Sequence, residues 1–226
     1  MEQTITIKPL EKTRLHIRIE GDTDLILNKK SLSFEREEIY KQSHKKGATM
    51  PDEINAKLHY NIWEKLITSL TWEKTVPALP RYEDYTEEMW KDLMKNNRPC
   101  ILSKAFSASF YETFVSFGFK DSTGRCGTDF KRTISLESWK NPINFTEVTY
   151  SQHLTPNTGI SKTNVLAQHN IFSGWSCEYD LMFIASVFPL ETVIEIINAT
   201  GEFIGVGTKR AEGFGRYHIA KCDVIS

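Results

Sequence analysis

The stretch from Gly205 to Tyr217 reads Gly-Val-Gly-Thr-Lys-Arg-Ala-Glu-Gly-Phe-Gly-Arg-Tyr. Glycine tolerates positive φ and lets a second backbone come close. Around Gly205, Gly207, Gly213 and Gly215, exposed amides can meet phosphate oxygens, with Lys209, Arg210 and Arg216 supplying charge. The stretch is not a Walker A loop, because no Gly-Lys-Ser/Thr stands at the required spacing. It is not a dinucleotide fingerprint either, because it follows a helical pattern and precedes a strand. The same glycines also suit a plain connector from helix to strand.

A second candidate lies near the start. Leu15, Ile17 and Ile19 alternate with Arg14, His16 and Arg18. A period of two turns one row to a core and leaves a basic row on the other face of a sheet. The bland reading of that row is an exposed strand whose charges discourage aggregation. Lys104, Arg125, Lys131 and Arg132 flank a phenylalanine-rich segment. Lys29 to Lys46 holds six Lys/Arg against three Glu, which suits a solvated loop better than a phosphate clamp.

Catalytic signals are weak. His16, His44, His59, His153, His169 and His218 are scattered, with no metal-ligand spacing such as H-E-x-x-H. No nucleophile elbow or kinase signature is present. The expectation is a chain without catalytic residues, metal or cofactor.

The elements that must position these residues follow from pattern. A strand is expected over 14–20, then a break at Gly21-Asp22 and a short apolar stretch Leu25-Ile26-Leu27. Residues 29–60 read as a charged insertion. Residues 57–77 read as a short helix or strand pair, stopped by Pro77 and Pro80. Thr86 is a natural N-cap for a helix ending before Pro99. Phe106, Phe110, Phe114 and Phe117 mark one buried stripe on a helix from Ser103 to Gly118. Phe130 to Leu136 reads as a strand. Strands over 146–154 and 163–172, turning at 156–159, make a long hairpin. Trp175 to Phe183 alternates as a half-buried strand. Pro189 suits the first position of a helix. That helix is expected to pack Val193, Ile194 and Ile197 on the sheet. The closing strand is 216–222.

Composition bounds the rest. The 226 residues carry 28 Lys+Arg against 29 Asp+Glu, a net charge of -1, which excludes a globally basic nucleic-acid binder but not a local basic surface. No apolar run approaches the ~20 residues of a membrane span. No signal peptide is visible, so the expected compartment is the cytoplasm. Cys100, Cys126, Cys177 and Cys222 are widely spaced and are expected as reduced thiols.

Gly-x-Gly-x-x-Arg after an apolar helix, followed by Gly-x-Gly-Arg-Tyr-His-Ile opening a last strand, resembles the glycine-rich loop of the RAMP superfamily. These proteins build the backbones of CRISPR effector complexes. The strand and turn from Ile17 to Lys29 resemble the family's opening strand. The ends of the chain also resemble a group of RAMP-like proteins encoded by bacteriophages, which implies a phage origin and the cytoplasm of a bacterial host. The resemblance covers 14–30 and about 174–222, and more loosely 100–136. It implies an α+β fold with a ferredoxin-like or RRM-like core, as one domain over 1–226. That core would carry an insertion at about 29–100 and a hairpin at about 146–172. It further implies a non-catalytic protein that binds single-stranded RNA or DNA, with Lys104, Arg125, Lys131 and Arg132 as contacts to the nucleic-acid backbone, and that self-associates or joins a protein complex. Some RAMP relatives cut RNA with a histidine or a loop aspartate, and here His16, Asp22 and Asp24 stand nearest those places. The alternative is a protein-interaction module that mimics or blocks a host defence complex.

Overall fold

The computed structural model describes residues 11–45, 48–55, 60–119, 127–155 and 165–225. The turn at 156–159, Lys46, His59, Arg125 and Cys126 lie outside the described residues. The elements are β1 (Lys12–Gly21), β2 (Leu25–Leu27), α1 (Leu32–Ser43), α2 (Ile62–Thr68), α3 (Glu87–Asn96), β3 (Cys100–Leu102), α4 (Ser103–Ser116), α5 (Gly127–Thr133), β4 (Ile134–Leu136), β5 (Lys140–Asn144), β6 (Glu147–Thr155), β7 (Val165–Ser173), β8 (Ser176–Ile184), α6 (Leu190–Ala199) and β9 (Tyr217–Ile225).

The main sheet is antiparallel, in the order β3-β5-β8-β1-β9, and β4 pairs with the other end of β8. Reduced to β1, α4, β4, β8, α6 and β9, this is the β-α-β-β-α-β sequence of a ferredoxin-like unit. β1 lies between β8 and the closing strand β9. The alternation of β1 has the expected effect, because Leu15, Ile17 and Ile19 are wholly buried. Against this face pack Phe106, Phe110 and Phe114 of α4 and Val193, Ile196 and Ile197 of α6. The rings of Phe114 and Phe130 stack at 4.9 Å, and Phe188 meets both edge-to-face at 5.9 and 5.3 Å. A second, three-stranded sheet, β2-β7-β6, carries the hairpin.

Several local expectations need correction. Residues 32–43 are a helix rather than a loop, and its buried residues are Ser33 and Glu37. Ser33 satisfies its polar groups on Glu64 of α2, donating from N–H at 2.9 Å and from Oγ at 3.0 Å. Helix α2 ends at Thr68, well before the prolines. Phe130 belongs to α5, and only Ile134–Leu136 is strand. Phe117 leaves the core and stacks on Phe203 at 5.3 Å, both half-exposed. Ile196, not Ile194, faces the sheet, and Pro189 caps α6 from one position earlier than expected. Thr86 does cap α3, accepting from the Met89 N–H at 3.2 Å.

Candidate nucleic-acid interface

Helix α6 runs into a π-turn, Thr200–Ile204, and the chain then enters the glycine loop. Gly205, Gly207, Gly213 and Gly215 all have positive φ, and so does Lys209 at 58°. The loop clasps the turn between β1 and β2. The Gly215 N–H donates to Asp24 O (2.8 Å), the Thr208 N–H to Ile26 O (2.9 Å) and the Arg216 N–H to Thr23 Oγ1 (3.0 Å). Thr23 Oγ1 in turn donates to Gly213 O at 2.8 Å. Three glycines serve this self-packing. A Cβ at Gly215 would lie 1.9 Å from Val206 O, one at Gly207 2.5 Å from Ile26 O, and one at Gly205 2.8 Å from Gly215 O. The close approach allowed by these three is therefore to the protein's own backbone. Only Gly213 has open space where a side chain would project.

The basic side chains of the loop converge on α4. Lys209, Arg210 and Arg216 line a cleft of about 420 Å³ with Glu112 and Phe203. Arg210 Nη1 donates to Glu112 Oε2 at 2.9 Å and to Ser109 Oγ at 3.0 Å. Lys209 Nζ donates to Glu212 Oε2 at 3.0 Å. Arg216 Nη1 is buried without a hydrogen-bond partner. Burial lowers its pKa, the neighbouring Arg210 charge lowers it further, and Glu112 opposes both. Two guanidiniums thus share one carboxylate, with a donor left over. A phosphate supplies the acceptors and negative charge this arrangement lacks. Phe203 lies at the mouth, half-exposed. Nothing in its sequence context marks it, since an isolated aromatic before a glycine carries no periodic signal.

The first strand's outer row is not the basic face its sequence suggests. Arg14 pairs with Glu137 (2.9 Å), His16 with Asp180 (2.7 Å), and Arg18 with Glu20 (2.9 Å) and Glu178 (3.8 Å). On β9, Lys221 pairs with Asp223 at 2.6 Å. Apart from Glu20 on β1 itself, the acids that face this row are Glu137, Glu178 and Asp180, distant in sequence, so the alternation of β1 alone could not reveal them. Of the two loop aspartates, Asp22 holds His218 Nδ1 at 2.7 Å, and Asp24 lends its carbonyl to Gly215. Lys104 is exposed on the first turn of α4. Lys131 and Arg132 are exposed on α5, and Lys131 Nζ lies 5.9 Å from the Tyr111 ring. None of the three lines the glycine-loop cleft. Among the described residues there is no cluster of three or more His, Cys, Asp or Glu able to hold a metal ion, and no helix long and apolar enough to cross a membrane.

No protein-family model matches the chain, and no curated protein matches it. Among solved structures, it is similar to a chain in the cryo-EM structure of the Type III-B Cmr-beta bound to cognate target RNA. That likeness has 9% identity and a TM-score of 0.47, covering 95% of this chain and 61% of the other. It is also similar to Cmr6 from Pyrococcus furiosus, with 10% identity and a TM-score of 0.32, covering 93% of this chain and 100% of that one. The chain spans about three fifths of the first of these.

Proposed function

We propose that the protein is a non-catalytic, RAMP-type binder of single-stranded nucleic acid. In this reading the cleft between α4 and the glycine loop holds the phosphate backbone. The carrying observation is the buried, partnerless Arg216 Nη1 beside Arg210 in a cleft that Lys209 also lines. Phosphate oxygens accept from Arg216 and compete with Glu112 for Arg210. The half-exposed Phe203 offers a face on which a base can stack. The resemblance of the glycine stretch to the RAMP superfamily supports the same site. It alone supports a phage origin, one domain and assembly with other subunits.

A specific observation favours a protein partner as a second reading. Strand β9 is an edge of the main sheet, and Val224 and Ile225 on it are exposed. An open edge with exposed aliphatics can pair with a strand of another chain.

The test is salt-dependent binding of labelled single-stranded RNA and DNA. Lys209→Ala with Arg210→Ala, and separately Arg216→Ala, should weaken binding for all sequences. Each should lower the slope of log affinity against log salt by about 0.7 for every phosphate that is no longer neutralised. Glu112→Gln should tighten binding, because it removes the competitor for Arg210. Unchanged affinity and slope in all three variants would remove the cleft from the site. Shortening of the labelled strand on incubation would overturn the non-catalytic part.

A further inference from the structure

A second concavity lies across the three-stranded sheet from the glycine loop. It measures about 540 Å³ and is formed by the chain after β2, by α1 and α2, and by β7. Its walls combine Lys29, Lys30 and Lys65 with the ring of Phe34 and the amide of Gln168. Phe34 is 45% exposed and Tyr60 beside it 44% exposed. Lys65 Nζ sits between the two rings, 4.9 Å from the Tyr60 centroid and 6.0 Å from that of Phe34. Large aromatic faces open to water beside lysines suit a flat, anionic-backed ligand better than they suit a solvated surface.

The amide sharpens the chemistry. Gln168 is only 7% exposed, and its Nε2 donates to the Tyr60 hydroxyl. Its Oε1 is buried with no partner. Were the amide turned over, the other end would be left without a partner in the same place. Gln168 lines this pocket with the Phe34 ring, and its unpartnered amide oxygen fits a hydrogen-bond donor on the edge of a heterocycle.

The two concavities are connected. A smaller depression of about 340 Å³ shares residues with both, lined by Ser151, His169, Lys209, Glu212 and Phe214 with Ile26 and Ile171. Lys209 also lines the glycine-loop cleft, and His169 also lines the Phe34 pocket. Basic and aromatic side chains recur from Arg216 to Lys65, with Glu112 and Glu212 among them as the partners of Arg210 and Lys209.

We infer that the Phe34–Lys65–Gln168 pocket binds a nucleobase, stacked on Phe34 and hydrogen-bonded to Gln168, of a strand whose backbone passes over His169 from the glycine loop. This rests on the nucleic-acid reading for the strand, though not for the base. One chemistry, a nucleotide, has two sources here: a residue within a strand, or a free mononucleotide.

The experiment uses the full chain. Fluorescence anisotropy follows labelled homopolymers of about twelve nucleotides, and calorimetry follows the four nucleoside monophosphates. Phe34→Ala should weaken strand binding roughly fivefold or more while leaving the salt slope unchanged. Phe34→Trp should restore it. Gln168→Leu, checked for folding by near-ultraviolet circular dichroism, should flatten the differences among homopolymers. Phe34→Ala with wild-type affinity, alongside a weakened Lys209→Ala/Arg210→Ala variant, overturns the pocket and leaves the proposed function standing. Mononucleotide binding that Phe34→Ala abolishes, without strand binding, supports the pocket as a free-nucleotide site and overturns the strand. Binding of neither overturns both.

Discussion

Replacing Gly213 and Gly215 separately by alanine distinguishes a loop built to grip its own chain from a plain connector. Both have positive φ, 91° and 75°. At Gly213 the new methyl meets nothing within 4 Å. Its cost is the left-handed backbone alone, about 1–2 kcal/mol. At Gly215 the methyl would stand 1.9 Å from Val206 O, a backbone atom that cannot rotate away. Relief requires parting the two arms of the loop. That breaks the Val206 N–H to Gly215 O bond of 2.9 Å and pulls the Gly215 N–H off Asp24 O. Val206 is fully buried, so water does not replace the missing partner. At about 1–3 kcal/mol for each stranded buried group, the total is about 3–8 kcal/mol. With 2–4 °C of midpoint per kcal/mol at this size, Gly213→Ala should melt only a few degrees below wild type. Gly215→Ala should melt on the order of 10 °C or more below it. Scanning calorimetry on the three proteins measures this, and hydrogen exchange at the Val206 amide should accelerate only in Gly215→Ala. Equal midpoints for the two variants would refute the claim that the loop's packing, rather than its φ values, holds it in place.

Two further outcomes concern titration. Burial raises the thiol of Cys100 to about 11 and that of Cys177 further still. At pH 8 neither should react with a disulfide reagent faster than the protein opens, whereas Cys222, the least buried of the three described cysteines, should label before them, as read by peptide mapping of the labelled protein. Prompt labelling of Cys100 and Cys177 in the folded state would contradict the burial. Arg98 grips Glu73 through two hydrogen bonds, at 2.7 and 2.8 Å, and holds its carboxyl below the ordinary value of 4.5. A lowered folded pKa stabilises above the unfolded value and is lost as pH falls through the folded one. Arg98→Gln should therefore destabilise at neutral pH and lose less on acidification between about pH 5 and pH 3, as read from urea midpoints.

What could be read from the sequence was what local period encodes. The rows Leu15-Ile17-Ile19 and Cys177-Tyr179-Leu181-Phe183 announce β1 and β8, and Thr86 announces α3. Helix α1 was illegible because it buries a serine bonded to Glu64, thirty-one residues away, together with Glu37, and leaves Phe34 in water. Its sequence carries no apolar stripe. Phe130, Ile134 and Leu136 satisfy a helix end and a short strand equally, and only the rings of Phe114 and Phe188 decide which. The glycine loop was legible as a place, but not in its workings. Its charges read as free, whereas Glu112 and Glu212 hold two of them and burial strands part of the third. The outer row of β1 failed for a related reason, because its neutralising acids arrive from β8 and the end of β4.

The pairing of β1 sets an order on folding. Its neighbours in the sheet are both late in the chain: His16 on β1 meets Asp180 on β8 across 164 residues, and Gly21 pairs with Tyr217 on β9. While the intervening chain is being synthesised, β1 has neither of the partners it ends with. Such non-local pairing closes slowly and leaves an unpaired strand exposed to other chains. Arg14, Arg18 and Glu20 then act before the cross-strand ion pairs with Glu137 and Glu178 exist, as charges that keep nascent copies of an otherwise sticky strand apart.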